Sequence, residues 1–455
     1  MREDYGAIVC PVFVVGGWAD PYTNAVPRLL EGLSVPRLGL IGPWSHGFPQ
    51  EVAPGPNVGF LQECVRWWDH WLKGIENGVM DAPMLRAWVQ ESVPPAAFYN
   101  ERPGRWVAEA AWPPADGCAR VWTLEGDGAL CGAAGGAAAG AGSAEGAALT
   151  ILGDQACGRA TGVWCANGLP DELPVDQRPD DAVSLTWDSE PLAERIELLG
   201  FPDVRLALAV DRPNALIAVR LCDVAPDGGS LLVTWGLLNL THRDGDAAPS
   251  SLGPGRRLGV AVRLNAVGQA VPAGHRLRLS VSPTYWPHAW PSPEPVTLSV
   301  FCHRGSSLSL PVRTSRPEDD ALPAFGGPEW SEPVGGAIVS AALRARSRTR
   351  NDKAGLSGIE DVETFRMRLE ESGTDYEHAS RDVWSIADGD PLSATLRCER
   401  TIALDREGWN VRIETVSSMT ADAGAFHVDD SLEAFEGTRR VFVKRTRLDV
   451  PRDGV

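Results

Sequence analysis

Two short apolar runs near the amino terminus frame a helical pattern. Residues 8–15 and 38–41 are mostly apolar, as expected for strands that are buried in a sheet. Between them, residues 25–33 carry Leu29, Leu30 and Leu33 at the spacing of one helix face. The pattern predicts a strand, a helix and a strand, with the two strands parallel and the helix crossing over one face of the sheet.

A candidate functional residue follows each predicted strand. Asp20 comes after the first strand and His46 after the second. Parallel strands bring their carboxyl ends to one edge of a sheet, where open α/β sheets place ligands and chemistry. An Asp followed by a His on such loops is the second half of the Ser, Asp, His order of α/β-hydrolases. We therefore take Asp20 and His46 as candidate catalytic residues.

An Asp and a His in contact can act together as a proton-transfer pair. An imidazole takes a proton from a serine hydroxyl only when one ring nitrogen faces the serine and the other nitrogen is held protonated. A carboxylate beside the far nitrogen fixes that tautomer and stabilises the imidazolium formed during attack. Simpler explanations exist, because Asp20 before Pro21 can start a turn and His46 can be a loop residue beside Trp44. Their joint position at two strand ends favours the catalytic interpretation.

The nucleophile of such a triad is missing from the sequence. No Gly-x-Ser-x-Gly motif, the turn that carries the nucleophile in α/β-hydrolases, occurs in the 455 residues. The nearest approaches, at Ser143 and Ser357, break the glycine pattern and lie in a low-complexity run and a polar turn. Asp20 and His46 are therefore predicted to belong to a triad whose serine lies elsewhere.

After residue 95 the pattern changes to short alternating runs separated by Pro and Gly turns. The clearest alternation lies at residues 204–210, 216–221, 258–264 and 277–281. Many short strands with turns between them predict a two-sheet sandwich over residues 96–312. Residues 126–149 are almost entirely Gly and Ala, with little side-chain volume to pack, and are predicted to be a flexible insertion.

Residues 313–455 alternate apolar with charged residues, so that each predicted strand has one apolar face and one polar face. The clearest runs are residues 365–370, 396–400, 410–416 and 440–444. This pattern is typical of antiparallel strands packed on a core from one side, and it predicts a further β-rich domain of unknown role. Within it, Glu360-Asp361 and Asp429-Asp430 are predicted to be solvated surface and not metal ligands.

These segments together resemble the cocaine-esterase and X-Pro dipeptidyl-peptidase family of serine hydrolases over about residues 8–305. The motifs that recur in order are Gly16-Gly17-Trp18-Ala19-Asp20-Pro21-Tyr22, Gly42-Pro43-Trp44-Ser45-His46-Gly47, the Trp-rich helix of residues 60–74, Glu197-Leu198-Leu199-Gly200-Phe201-Pro202, Val219-Arg220-Leu221-Cys222-Asp223-Val224 and residues 273–280. The resemblance implies that Asp20 and His46 are the catalytic acid and base. It also implies that residues 1–95 are the carboxy-terminal part of an α/β-hydrolase domain and residues 96–312 a jelly roll. Because the family keeps its Ser and most of its sheet ahead of the Asp, we expect the chain to be the carboxy-terminal two-thirds of a longer hydrolase.

Composition and charge limit the kinds of binding partner that the chain is expected to have. The formal net charge of −18 disfavours nucleic acid and anionic membrane surfaces, although acidity is also simply typical of soluble proteins. The nine cysteines are scattered and form neither a C-x-x-C pair nor a Cys/His cluster, which favours a reducing compartment without a structural metal. No apolar run approaches the ~20 residues of a membrane helix. We expect a cytoplasmic protein with a small ester, amide or peptide substrate, no cofactor, and an exposed sheet edge that allows a homo-oligomer.

Several other polar residues have structural explanations. His275 lies in a predicted hairpin of the sandwich, and Asp69 and His70 form the polar side of the Trp-rich helix. Two functions of different class remain open. The chain is either the greater part of a serine hydrolase that acts through an acyl-enzyme, inactive without its Ser, or a non-catalytic β-sandwich binding or accessory protein. An in-frame extension ahead of Met1 that contains Gly-x-Ser-x-Gly favours the hydrolase, and a stop codon there favours the accessory protein.

Overall fold

The computed structural model of the protein describes residues 4–114, 117–132, 147–302, 305–331 and 336–455. A small α/β layer opens the chain, and its elements are β1 (Val12–Gly17), α1 (Ala25–Gly32), β2 (Arg37–Gly42), α2 (Phe60–Lys73), β3 (Leu85–Gln90) and β4 (Gly104–Glu109). Strands β1, β2 and β3 pair in parallel in that order, and β4 joins β3 antiparallel. The predicted strand, helix and strand with a parallel crossover is therefore present.

Helix α1 packs on this layer through a glycine. Leu30 is fully buried, and a Cβ built on Gly39 of β2 would lie 2.6 Å from the Leu30 Cδ1 atom. The absence of a side chain at Gly39 thus lets the helix approach the sheet closely. Strand β1 begins at Val12, later than the apolar run predicted, because Pro11 has no N–H to give to a ladder.

Helix α2 covers the layer with one side only. Its Trp67 is buried against Leu38 and Val79, and the helix ends at Gly74, which adopts the left-handed conformation with φ 69°. The opposite side carries four exposed apolar residues at helical spacing, Leu61, Val65, Trp68 and Leu72. This side has no covering layer among the residues that the structure describes.

The middle of the chain is rich in short strands. Its elements are β5 (Cys118–Leu124), β6 (Leu130–Gly132), β7 (Ala148–Leu152), α3 (Arg178–Asp181), β8 (Leu185–Asp188), β9 (Ile196–Gly200), β10 (Asp203–Val210), β11 (Leu216–Val224), β12 (Ser230–Asn239), β13 (Leu258–Arg263), β14 (Val267–Val271), β15 (Arg276–Ser282), β16 (Thr297–Phe301) and β17 (Ser307–Arg313). The four runs that alternate most clearly in the sequence are β10, β11, β13 and β15, each within a few residues of its expected bounds.

Two sheets of this region face each other over one core. One sheet has the order β12-β11-β15-β8, and the other contains β9, β10, β16 and β17 and continues through β14 and β3 into the α/β layer. The join is a single parallel pair between Gln90 and Gln269. Side chains from both sheets, such as Leu206 and Ile217, fill the core between them. The α/β layer and the sandwich are thus joined by backbone hydrogen bonding.

The Gly- and Ala-rich stretch begins and ends in β-strands. The prediction of a flexible insertion over residues 126–149 is wrong at both ends, because β6 and β7 are paired strands there. Leu130 is buried in the sandwich core, so a short apolar run was hidden by the surrounding small residues. Residues 133–146, which include Ser143, lie outside the described residues.

The carboxy-terminal region is one long antiparallel meander, which we call the terminal sheet. Its strands are β18 (Gly336–Asn351), β19 (Leu356–Leu369), β20 (Thr374–Ala387), β21 (Asp390–Arg406), β22 (Trp409–Ala421), β23 (Ala425–Glu436) and β24 (Arg439–Pro451), paired in that order. The alternating pattern correctly indicated antiparallel strands. The expected core on one side is only partly formed, because Ile402, Ile413 and Phe442 of the apolar side remain exposed. No helix in the described ranges is long and apolar enough to span a bilayer.

Candidate active site

Asp20 and His46 lie just beyond the carboxyl ends of β1 and β2. The two loops run close together, since the Trp18 N–H donates to the Gly42 carbonyl at 2.9 Å and the Ala19 N–H to the Trp44 carbonyl at 3.1 Å. Gly17 makes this approach possible, because a Cβ there would lie 1.9 Å from the Trp44 carbonyl oxygen. The backbone therefore fixes the two loops against each other before any side chain contributes.

The two candidate side chains meet at this point. His46 Nδ1 lies 3.0 Å from Asp20 Oδ2, within hydrogen-bond distance. The other carboxylate oxygen, Oδ1, accepts the N–H of Tyr22 at 2.7 Å, which holds the carboxylate in place. Asp20 is 13% exposed and the His46 side chain 48% exposed, so the imidazole keeps one open side. An imidazole held through Nδ1 leaves Nε2 free to exchange a proton with a further group.

A loop from the sandwich region borders the pair, and we call its residues 159–172 the cleft wall. The His46 N–H donates to the carbonyl of Ala166 at 2.7 Å, and Trp164 contacts Tyr22 edge-on with ring centroids 5.8 Å apart. Tyr22 in turn lies 5.5 Å from the His46 ring. The position of the imidazole therefore depends on a segment about 120 residues further along the chain.

The wall closes a cleft of about 200 Å³ beside Asp20. Aromatic side chains line it, among them Trp18, Trp164 and Trp235. Arg102 also lines it, and burial lowers the pKa of its guanidinium. His288 lines the inner end, where burial, with a smaller contribution from Arg346, lowers its pKa to about 4. The cleft thus combines aromatic side chains with polar groups such as Asp20, Arg102 and Gln269, a mixture that can hold and orient a small molecule.

A buried carboxylate anchors the wall itself. Glu172 has no exposed surface, and its Oε2 accepts the N–H groups of Asn167 and Leu169, each at 2.7 Å. Burial raises the pKa of this carboxyl, and the two N–H donors oppose that effect. The carboxylate therefore replaces the regular hydrogen bonding that this irregular loop lacks.

No hydroxyl or thiol is hydrogen-bonded to His46 among the residues that the structure describes. Ser357 lies far from the pair, buried at the start of β19, where it contacts the guanidinium groups of Arg159 and Arg350. Cys165 lies near Asp20, but burial, assisted by the charges of Asp20 and Glu172, raises the pKa of its thiol. A thiol with a raised pKa is a poor nucleophile. Among the described residues, no nucleophile therefore lies beside the Asp20–His46 pair.

The other polar residues singled out in the sequence are paired or dispersed. His275 Nδ1 lies 2.7 Å from the buried Asp223 within the sandwich, and Asp69 pairs with Lys73 on α2. Asp361 is not solvated surface, as the sequence suggested, because it pairs with Arg346 at 2.6 Å and only 15% of its side chain is exposed. Glu360 pairs with Arg381 on the opposite face. The described residues contain no cluster of three or more His, Cys, Asp or Glu side chains able to hold a metal ion.

The residues that surround the pair carry no pattern in the sequence that predicts their position. Trp164, Ala166 and Glu172 of the cleft wall lie in a loop without periodicity, and Arg102 and His288 are isolated polar residues in apolar surroundings. The one usable signal was the unusual number of Trp residues, 17 in the chain, several of which line the cleft.

Two family models match the chain. Residues 77–305, about half of the chain, match the X-Pro dipeptidyl-peptidase C-terminal non-catalytic domain. Residues 1–48 match the X-Pro dipeptidyl-peptidase of the S15 family. Asp20 and His46 both lie within the second match. The two matches follow each other in the order of the α/β layer and the sandwich.

Individual relatives and solved structures are similar to the same part of the chain. The cocaine esterase of Rhodococcus sp. (strain MB1 Bresler) is 25% identical over 305 residues, which cover 63% of this chain and 50% of the esterase. The chain thus spans about half the length of this relative. An aminopeptidase from a marine sediment Thaumarchaeota archaeon superposes with a TM-score of 0.54 at 20% identity, covering 68% of this chain and 55% of that one. A CocE/NonD family hydrolase from Staphylococcus aureus gives a TM-score of 0.50 at 13% identity, with the same coverage of both chains.

Proposed function

The chain belongs to the cocaine-esterase and X-Pro dipeptidyl-peptidase family of hydrolases, and from this premise we propose that it supplies the acid and base of a serine hydrolase. The proposed reaction cleaves an ester or amide bond, including X-Pro dipeptidyl bonds, through an acyl-enzyme. The observation that carries the proposal is the contact of 3.0 Å between His46 Nδ1 and Asp20 Oδ2 at neighbouring strand ends.

The proposed chemistry assigns one role to each side chain. Asp20 accepts the Nδ1–H of His46 and so leaves Nε2 unprotonated. His46 Nε2 takes the proton of a serine hydroxyl as its oxygen attacks the substrate carbonyl, and then returns that proton to the leaving group. The same nitrogen next takes a proton from the water that attacks the acyl-enzyme, and it returns this proton to the serine as the acid product leaves. Asp20 stays ionised throughout and stabilises the imidazolium.

We place the nucleophile on a hydrolase segment that is not in this sequence. Two features of the α/β layer support this placement. Strand β1 pairs with β2 alone among the described strands, so its outer edge is open. Helix α2 also has an exposed apolar side, formed by Leu61, Val65, Trp68 and Leu72. Apolar helix sides of this kind usually pack on a neighbouring layer of the protein. A further part of the sheet would fit both surfaces, and the His46 side chain, which is 48% exposed, leaves room for a serine beside it.

We also infer that the sandwich is the jelly roll implied by the family resemblance and that it shapes the substrate site without taking part in the chemistry. The cleft beside Asp20 is lined by sandwich residues such as Trp235 and Val267 as well as by Trp18 of the α/β layer. A substrate acyl or dipeptidyl group fits a cleft of about 200 Å³ with mixed apolar and polar walls better than a large polymer does.

A fluorophosphonate probe tests this function, because it labels only activated serines. The 455-residue chain alone is expected to remain unlabelled. A longer protein, in which a segment with Gly-x-Ser-x-Gly precedes this sequence, is expected to be labelled at that Ser, and His46→Ala should abolish the labelling. Labelling of the longer protein that persists in the His46→Ala variant would remove His46 from the mechanism, and a longer protein that is never labelled would favour a non-catalytic binding or accessory function.

A further inference from the structure

Arg102 lines the cleft beside Asp20 without a carboxylate partner. It lies between β3 and β4, where the α/β layer joins the sandwich. Its Nη2 atom donates to the backbone carbonyl of Glu91 at 3.2 Å and lies 3.5 Å from the Gln269 Oε1 atom. Both acceptors are neutral, and Arg102 forms no ion pair within the described part of the chain. Its positive charge is therefore not compensated by the fold.

An arginine that supports the fold is bound differently in this protein. Arg313 is buried, and it pairs with Glu109 and with Asp319, each at 2.7 Å. Such partners are the rule, because an arginine removed from water without a carboxylate loses hydration energy that nothing replaces. Arg102 departs from this rule inside a cleft, which is where a group that binds a ligand is expected to do so.

The guanidinium of Arg102 keeps one accessible donor nitrogen. Its Nε is buried and its Nη2 has the two acceptors described above, whereas Nη1 keeps exposed surface and donates to no group in the described ranges. Burial lowers the pKa of Arg102, and the one acidic group that opposes this effect is the phenol of Tyr99. Burial also raises the pKa of Tyr99, so the phenol is neutral at pH 7 and supplies no counter-charge. An arginine nevertheless stays charged, so Nη1 offers a charged donor to a ligand.

The other ionisable groups of the cleft already have partners or are neutral. Asp20 contacts His46 at 3.0 Å, and Glu172 contacts an arginine of the terminal sheet at 3.0 Å. Burial lowers the pKa of His288 to about 4, so its ring is neutral at pH 7. Asp20 lines the same cleft as Arg102 but is too far from it to oppose the effect of burial on the guanidinium. The cleft therefore offers a ligand one positive charge, set apart from the Asp20–His46 pair.

We propose that Arg102 determines substrate specificity by binding a carboxylate carried on the acyl part of the substrate. This inference rests on the hydrolase function proposed above and names its substrate class, the esters or amides of acids that carry a second carboxylate. Guanidinium and carboxylate form charge-assisted hydrogen bonds, which are stronger than those between neutral groups. The scissile carbonyl lies at His46 and the second carboxylate at Arg102. Aromatic residues of the cleft such as Trp18 contact the carbon chain between them.

Binding to the 455-residue chain tests the site without catalysis. The probe is monomethyl glutarate, which carries one carboxylate and one ester, and the neutral probe is the methyl ester of glutaramic acid, in which an amide replaces the carboxylate. NMR titration at pH 7 should give a dissociation constant about 10-fold lower for the carboxylate probe. Arg102→Gln should remove this preference and leave the affinity for the neutral probe unchanged. Arg120→Gln is the matched control and should keep the preference, because Arg120 pairs with Glu194 outside the cleft.

The outcomes distinguish this inference from the proposed hydrolase function. Equal affinity of the unmodified chain for the two probes would overturn the role of Arg102, and so would a carboxylate preference that survives in Arg102→Gln. If the Gln variant binds neither probe, Arg102→Lys decides, because it keeps the positive charge: a retained preference supports the proposal, and a lost preference overturns it. Binding requires no serine. A chain that prefers the carboxylate probe, while the longer protein is never labelled by fluorophosphonate, would keep this site and lose the hydrolase function.

Discussion

Arg344 of the terminal sheet lies against Glu172 of the cleft wall, with 3.0 Å between Nη1 and Oε1. Glu172 is fully buried, and Arg344 is only 17% exposed. The contact is an ion pair without the alignment of a directed hydrogen bond. Two neighbouring arginines reinforce it, since Arg346 donates to the Gly162 carbonyl at 3.1 Å and Arg348 to the Arg159 carbonyl at 2.7 Å. The first strand of the terminal sheet thus holds the loop that borders His46.

Removal of this ion pair should loosen the cleft wall. Arg344→Met leaves the Glu172 carboxylate buried with only two N–H donors, at a cost of about 2 kcal/mol. Amide hydrogen exchange in residues 159–172 should become about 30-fold faster, which is the same free energy expressed as a ratio. Arg366→Met is the control, because Arg366 pairs with Asp375 on the opposite face and is 45% exposed. Unchanged exchange of the wall in Arg344→Met would contradict the bracing role.

The close approach at Gly17 should be intolerant of any side chain. A Cβ at this position would lie 1.9 Å from the Trp44 carbonyl oxygen, which is backbone and cannot rotate away. Gly17→Ala should therefore separate the two loops and destabilise the α/β layer by more than about 2 kcal/mol. Hydrogen exchange of the β1 and β2 amides measures the effect. Gly259→Ala, also within a strand but with no atom within 4 Å of the added Cβ, should leave exchange unchanged.

The sequence was sufficient for the part of the site that depends on regular structure. Asp20 and His46 meet because both follow parallel strands, and the apolar runs at β1 and β2 identify those strands. The same periodicity located four of the sandwich strands, β10, β11, β13 and β15, and the alternation of the terminal sheet. Their catalytic role stays a prediction, since no nucleophile lies beside them among the described residues.

The surroundings of the pair could not be predicted for a physical reason. Contacts such as His46 to Ala166 or Glu172 to Arg344 join single residues that are far apart in sequence, and such contacts leave no periodic pattern. Asp361 shows the same limit, because its charge suggested solvent and only the fold brings Arg346 to it. Alternation likewise identified the apolar side of the terminal sheet without indicating what covers it.

His288 should make the protein less stable in mild acid. Its Nδ1–H faces the Thr161 oxygen at 3.2 Å, since the Thr161 hydroxyl donates to the Gly158 carbonyl at 2.7 Å. Burial lowers the pKa of His288 to about 4, below the value of about 6.5 expected in the unfolded chain. The unfolded chain therefore binds more protons between these values. The free energy of unfolding is therefore unaffected by His288 titration above pH 6.5, and it decreases as the pH falls toward 4.

The acid effect can be isolated by a substitution. Between pH 7 and pH 5 the contribution of His288 should fall by up to about 2 kcal/mol, a ceiling because the ring is only partly buried. His288→Asn keeps a neutral donor near Thr161 and does not titrate in this range. Urea unfolding at both pH values should show a smaller loss for the variant than for the original chain. Equal losses would mean that His288 is solvated and titrates normally.

The tautomer of the His46 ring can be measured in the 455-residue chain alone, without a nucleophile. If Asp20 orients the imidazole, neutral His46 carries its proton on Nδ1, and long-range proton–nitrogen NMR correlations should report that tautomer. Asp20→Asn removes the charge but keeps the shape, so a substantial share of the rings should shift to the Nε2–H form. In a longer protein with its serine, the same substitution should lower turnover by about 10⁴-fold, as expected when the wrong nitrogen faces the nucleophile. Asp69→Asn, which removes a carboxylate paired with Lys73, should change neither result. An Nε2–H tautomer in the unmodified chain would leave His46 unable to act as the base.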